Sequence, residues 1–287
     1  MTGDGIAMHG VLRLSCPDRM GIVAGVGAFL LERACNIVES AQFGDANSRR
    51  FFMRVSFSSG GIDLPAMRRD FAEVARHFAM QWEIHDMAVK PRALIMVSRF
   101  GHCLNDLLYR WRSGSLPIDI PAIVSNHRDA YRLASAHDIP YHHLPVTADD
   151  KPRRERQLLD IFEEERCDML ILARYMQILS PELCGKLEGR AINIHHSFLP
   201  SFQGARPYQQ AHDRGVKLMG ATAHYVTSDL DEGPIIEQDV ARVDHAMSLE
   251  DCVSTGRDVE CAVLARAVKW HAEHRILLNG KRTVVFR

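Results

Sequence analysis

The chain has 287 residues, 46% hydrophobic and 25% charged, with a formal net charge of −1. That length suits two domains, the composition is that of a globular chain able to bury a core, and the balanced charge argues against a general nucleic-acid binder. No apolar run approaches the roughly 20 residues that cross a membrane, and no signal-peptide pattern opens the sequence. Seven scattered cysteines form no C-x-x-C pair and point to a reducing, cytoplasmic setting.

Residues 9–16 (HGVLRLSC) alternate like a strand, and residues 21–33 carry apolar side chains at helical spacing. Residues 36–43 and 51–57 read as strands around the turn Gly44-Asp45-Ala46-Asn47-Ser48. Residues 64–80 read as a helix and 82–87 as a last short strand. This β-α-β-β-α-β order predicts a ferredoxin-like α+β domain over residues 7–89, with Lys90-Pro91 as the linker.

The rhythm changes over residues 90–287. The apolar run 93–97 suits a parallel strand buried on both faces. Helix 102–112, strand 118–124, helix 128–137, strand 140–144, helix 153–165 and strands 169–172 and 191–195 follow. Such alternation predicts an open, Rossmann-like α/β sheet, in which ligands bind beyond the carboxyl ends of the strands. Strands 219–226 and 234–243, a long helix 249–274 and a hairpin 275–286 turning at Asn279-Gly280 complete this second domain.

Strand 191–195 ends in polar residues. Asn193 and His195 alternate with Ile194, so they face the same way, and Asp231 lies in the loop before strand 234–243. An amide, an imidazole and a carboxylate suit acyl transfer through a tetrahedral oxyanion. Asn193 can donate to the oxyanion, a protonated His195 can do the same and move a proton, and Asp231 can hold that histidine charged and take a proton from the nucleophile. The same residues also fit a structural reading, with Asp231 capping a turn. His195, His196 and His224 match no common zinc spacing, so no metal is expected.

Three motifs carry a resemblance: Asn193-Ile194-His195, then Ser197-Phe198-Leu199-Pro200, then Leu230-Asp231-Glu232-Gly233-Pro234. Their order and spacing, with LARYMQILSP at residues 172–181, resemble the folate-dependent formyltransferase family over the whole second region. The string CPDRMGIVAGVGAFL at residues 16–30 resembles an ACT domain, a small-molecule regulatory module. The pairing of the two, with HHSFLPSF and GPIIEQDV, is similar to a hydrolytic branch of the family. The resemblance implies that 10-formyltetrahydrofolate is the substrate and that formate is supplied for purine biosynthesis while folate pools are balanced. It implies no prosthetic group.

The resemblance also implies folate contacts at Arg174, Tyr175, Met176, Ile178, Val146 and Thr222. His102 and Cys103 either face the formyl site or only pack at a helix start. In the ACT-like loop, Asp18, Arg19 and Gly21 would receive an amino-acid effector, glycine or methionine, and the ACT domains would join a homo-oligomer. The loop Ser98–Leu104 has one glycine among bulky residues, a poor cradle for the phosphate of a ribonucleotide acceptor, which favours water. A small amine acceptor is the alternative, and a folate-binding regulator without catalysis is a third reading. Tyr208-Gln209-Gln210 and Gly101 depart from the hydrolytic pattern.

Overall fold

The computed structural model describes residues 8–61, 63–201 and 207–287, so the segment 202–206 of the quoted motif string, and residue 7 of the expected first domain, lie outside the described residues. Two compact units form. One holds the described residues up to Lys90 together with Glu273–Arg287, and the other is Pro91–Ala272.

In the first unit the elements are β1 (Met8–Pro17), α1 (Ile22–Glu32), β2 (Asn36–Asp45), β3 (Arg50–Ser59), α2 (Leu64–Phe78) and β4 (Gln81–Asp86). The strands form one antiparallel sheet in the order β2-β3-β1-β4. Gly21, at φ 93°, occupies the left-handed turn from which α1 starts, a conformation glycine adopts without Cβ strain. Leu14, Phe57, Phe71 and Ile84 are among the buried residues that close the core between sheet and helices.

The C-terminal hairpin departs from the expected domain boundary. Strands β12 (Ile276–Asn279) and β13 (Arg282–Val285) are far along the chain yet belong to the first unit, on the other face of its sheet. Phe52, Leu277 and Phe286 bury one another there. Asn279 Nδ2 donates to Asp45 Oδ2 at 2.7 Å, and Arg54, 3% exposed, donates to Glu39 and to the Glu273 carbonyl. A half-apolar sheet with one helix-covered face leaves a second face to cover, and the hairpin supplies that cover.

The second unit runs β5 (Ala93–Val97), α3 (His102–Arg112), β6 (Ile123–Ser125), α4 (Tyr131–Ser135), β7 (Tyr141–His143), α5 (Lys151–Glu164), β8 (Met169–Leu172), α6 (Pro181–Lys186), β9 (Ala191–His195), α7 (Pro207–Asp213), β10 (Leu218–Tyr225), β11 (Ile235–Arg242) and α8 (Leu249–Ala272). The seven-stranded sheet has the order β11-β10-β9-β8-β5-β6-β7, parallel from β9 to β7 and antiparallel at β10 and β11. It is a mixed sheet, with every residue of β5 and β8 buried. The expected strand 118–124 shrinks to three residues because Pro121 brings no amide hydrogen to the ladder. Helices α6 and α7 were not expected from the sequence, although Ser180 caps α6 by accepting from the Leu183 amide and Pro181 stands at its start. Among the described residues, no helix is long and apolar enough to cross a membrane.

Chain order reverses between β5 and β8, and this switch point opens a crevice at the carboxyl ends of the strands. Ser98, just beyond β5, receives its amide bond from there: its N–H donates to the Arg174 carbonyl at 3.3 Å, and its hydroxyl accepts from the Met176 amide at 3.0 Å.

Candidate active site

The carboxyl end of β9 delivers Asn193 and His195, and antiparallel β10 sets His224 opposite Asn193 and Thr222 opposite His195. His224 Nδ1 lies 2.9 Å from the Tyr225 carbonyl, a bond only an N–H can make, so Nε2 is left as an acceptor for Asn193 Nδ2 at 3.2 Å. One amide hydrogen of Asn193 remains for the cavity in front of it.

Asp231 comes from the loop before β11. Its φ of 58° is left-handed, a conformation that short polar side chains tolerate better than most. The loop is seated by Gly233, where any Cβ would overlap the Tyr225 carbonyl, and by the Tyr225 amide donating to the Pro234 carbonyl at 2.9 Å. Asp231 Oδ2 thereby lies 3.2 Å from His195 Nδ1, and Oδ1 lies 3.7 Å from His224 Nε2. Burial by itself would raise the pKa of Asp231. The hydrogen bond from His195 Nδ1 outweighs it and holds the carboxyl well below the usual carboxylate range.

These groups line a cavity of about 300 Å³. His195 Nε2 is buried there and has no hydrogen-bond partner among the described residues. A buried imidazole nitrogen without a partner costs free energy unless a ligand or water meets it. Arg174, Tyr175, Met176 and Ile178 line the same cavity, and Met176 and Ile178 form its exposed apolar rim.

Four residues expected at the folate site stand elsewhere. Thr222 is fully buried: its hydroxyl accepts from Leu199 N and Gln238 Nε2 and donates to the Ser197 carbonyl, so it fastens the loop 197–200 and does not line the cavity. Cys103, 1% exposed, is packed at the start of α3, and the bond to Cys261 with burial pushes its thiol well up. His102 turns to Glu260 at 2.8 Å. Val146 lines a small neighbouring cleft that shares Tyr175 and Ile178 with the main cavity. In the first unit, the expected effector loop is exposed at Asp18 and Gly21, while the Arg19 guanidinium donates to the His77 carbonyl and stacks on Phe78 at 4.6 Å.

The sequence model of the formyl transferase family matches residues 91–268. A formyltetrahydrofolate deformylase of Corynebacterium sp. (strain P-1) is 50% identical over 279 residues, 96% of this chain and 98% of that protein. The chain belongs to the formyltetrahydrofolate deformylases of the formyl transferase family. The crystal structure of a formyltetrahydrofolate deformylase from Burkholderia mallei matches with a TM-score of 0.94 at 55% identity, over 98% of this chain and 100% of that one. A glycinamide ribonucleotide transformylase from Symbiobacterium toebii, 28% identical with a TM-score of 0.65, covers 69% of this chain and 95% of its own.

The family motifs do not announce a second polar group behind the cavity. Glu260, on α8, is fully buried. Its carboxylate accepts from His102 Nε2 at 2.8 Å and from the Tyr208 hydroxyl, and Arg174 Nε lies 3.2 Å away. Burial would raise its pKa, but the His102 bond, the Arg174 charge and the Tyr208 bond lower it below the ordinary value. Gly256, one turn earlier, has no side chain because a Cβ would overlap the Tyr208 ring. His102, Cys103 and Glu260 hold donor atoms within 4.8 Å of one another, a spacing that suits a metal ion. The guanidinium of Arg174 already supplies the positive charge at that carboxylate, which disfavours a second cation. The sequence signal for Glu260 is a lone carboxylate on the helix stripe that also buries Cys252, Gly256, Val263 and Leu264.

Proposed function

We propose that the chain hydrolyses 10-formyltetrahydrofolate to tetrahydrofolate and formate, with Asn193, His195 and Asp231 as its catalytic residues. The observation that carries the reading is the buried Nε2 of His195, without a partner among the described residues and lining the cavity, while Nδ1 is held by Asp231. Water attacks the formyl carbon, and the oxyanion forms on the formyl oxygen beside the free amide hydrogen of Asn193. His195 takes the proton of the water and passes it to N10 of the folate as the carbon–nitrogen bond breaks. Asp231 orients the ring and stabilises its positive charge. Its depressed pKa makes it a poor base, so the proton goes to His195 in place of the aspartate suggested by residue types alone.

The half-exposed apolar rim at Met176 and Ile178 suits a pterin face, and residues 174–178 line the cavity that would receive it. An amine acceptor gains less support, since relatives matching nearly the full chain are named deformylases. The seven unpaired cysteines fit the reducing cytoplasm. The first unit is read as an ACT-like regulatory domain on its β-α-β-β-α-β sheet, joining copies through exposed apolar groups such as Ile37, Val38 and Phe43 on β2. Sedimentation of a monomer at all concentrations would remove the assembly reading, and calorimetry without heat for glycine and methionine would remove the effector.

The test of the reaction is incubation of the purified protein with 10-formyltetrahydrofolate and no amine. Stoichiometric formate and tetrahydrofolate, lost in Asp231→Asn, are expected. Turnover only when an amine is added would make the chain a transferase.

A further inference from the structure

Arg174, Met176 and His196 line two cavities at once, the 300 Å³ cavity in front of His195 and a second of about 440 Å³ behind it. They form the partition between the two. The second cavity is also walled by Phe100, His102, Tyr208 and Arg257.

The charges of this second cavity do not cancel. Glu260 is its carboxylate and is matched by Arg174. Arg257, half-buried, leans on the Phe100 ring at 5.3 Å and has no ion pair among the described residues. Among the described lining residues, two guanidinium groups thus stand against one carboxylate. His196 adds no charge at neutral pH, because burial and then the Arg174 cation push it down to about 3. Arg174 is 7% exposed, and its Nη1 is buried without an acceptor among the described residues. Glu260, tied to His102 and Tyr208, holds the guanidinium in place from one side and leaves that donor open. A buried guanidinium hydrogen without an acceptor is a standing cost that an anion relieves.

The first cavity has the opposite sign at its reacting end. Formate released beside the ionised Asp231 is repelled there and attracted across the partition. We propose that the second cavity is a small-carboxylate site that receives formate from the reaction centre, with Arg174 and Arg257 as its cations. The proposal rests on the hydrolytic reading for its ligand, and on the cavity and its charges for its place. The site is separate from the folate cavity, so formate and tetrahydrofolate bind together.

The test is calorimetric titration of the intact protein with sodium formate, against sodium chloride at equal ionic strength, with and without saturating tetrahydrofolate. Acetate and phosphate serve as further arms. Saturable formate binding that persists with tetrahydrofolate bound is expected, weakened about tenfold in Arg257→Gln, the loss of one charge-assisted contact. Val253→Trp, which fills the cavity from α8, should abolish formate binding and leave tetrahydrofolate binding intact. Acetate binding weaker than formate is expected of a site fitted to the product, and tighter phosphate binding would assign the cavity to another anion and overturn the proposal. Formate heat no greater than that of chloride, displacement of formate by tetrahydrofolate, or equal affinities in the wild type and both variants would also overturn it. Binding needs no turnover. A protein that takes formate through Arg257 but releases none from 10-formyltetrahydrofolate would therefore refute the hydrolytic reading and leave the site standing.

Discussion

Glu260→Ala tests whether the buried cluster behind the cavity is held together by one carboxylate. In the native chain Glu260 is 0% exposed and Arg174 7%, and Arg174 Nη1 already lacks an acceptor among the described residues. Removing Glu260 would also strand His102 Nε2 and the Tyr208 hydroxyl, which both donate to it. Breaking a buried pair by deleting one partner costs about 3–5 kcal/mol, because the remaining charge has left water without compensation. For a unit of this size, each kcal/mol moves the midpoint by roughly 2–4 °C, so a fall of about 6–20 °C is expected. Scanning calorimetry with urea denaturation at pH 7 measures it. The double variant Glu260→Met, Arg174→Met should recover most of the loss, since an apolar pair of similar volume replaces a buried ion pair at little cost. The sign with pH follows from the lowered folded pKa of Glu260. Its contribution is full above the unfolded value of about 4.3 and disappears as pH falls through the folded value. A loss under about 1 kcal/mol in Glu260→Ala, or a double variant as unstable as the sum of the singles, would refute the reasoning.

Four further outcomes are expected. Asp231→Asn should slow turnover by roughly 10²–10⁴-fold, about 2.7–5.4 kcal/mol of barrier, with tetrahydrofolate affinity retained; single-turnover kinetics with unchanged rates would remove Asp231 from the mechanism. Asn193→Ala should cost roughly 10²–10³-fold in kcat through loss of one oxyanion donor, and a change in KM alone would argue against that role. Gly233→Ala should lower stability by about 1–3 kcal/mol and depress activity with it, because the added methyl meets the Tyr225 carbonyl and displaces the Asp231 loop; a fully active, equally stable variant would disprove the close approach. Asp45, held at about 2 by bonds from Ser48 and Asn279, should stabilise the first unit above about pH 4 and lose that contribution as pH falls through about 2. The stability curves of the wild type and Asp45→Asn should therefore converge in acid, and a gap constant with pH would contradict this.

Local patterns made most elements of both units legible, α6 and α7 excepted. Alternation marks β1, the continuous apolar run marks β5, and strand spacing puts Asn193 and His195 on one side of β9. Period and turn chemistry are properties of a few neighbouring residues, so the sequence itself carries them. The motif spacing likewise carried the family, because Asn193, His195 and the Asp231 loop must meet in any chain that keeps this sheet.

Three features required the tertiary structure. Thr222 and His224 sit two apart on β10, yet Thr222 fastens a loop and His224 faces Asn193, because burial and register decide what each side chain meets. The hairpin at residues 276–285 follows the second unit in the chain but covers the first unit's sheet, since an apolar face is buried by whichever segment reaches it. Arg174 and Glu260 are 86 positions apart, and the sequence shows each only as an ordinary charge. Sequence alone determined most of the strands, the longer helices and the polar residues at the end of β9. Only the packing decided which charges are buried, which are paired and which remain open to a ligand, because those depend on long-range proximity and the loss of water.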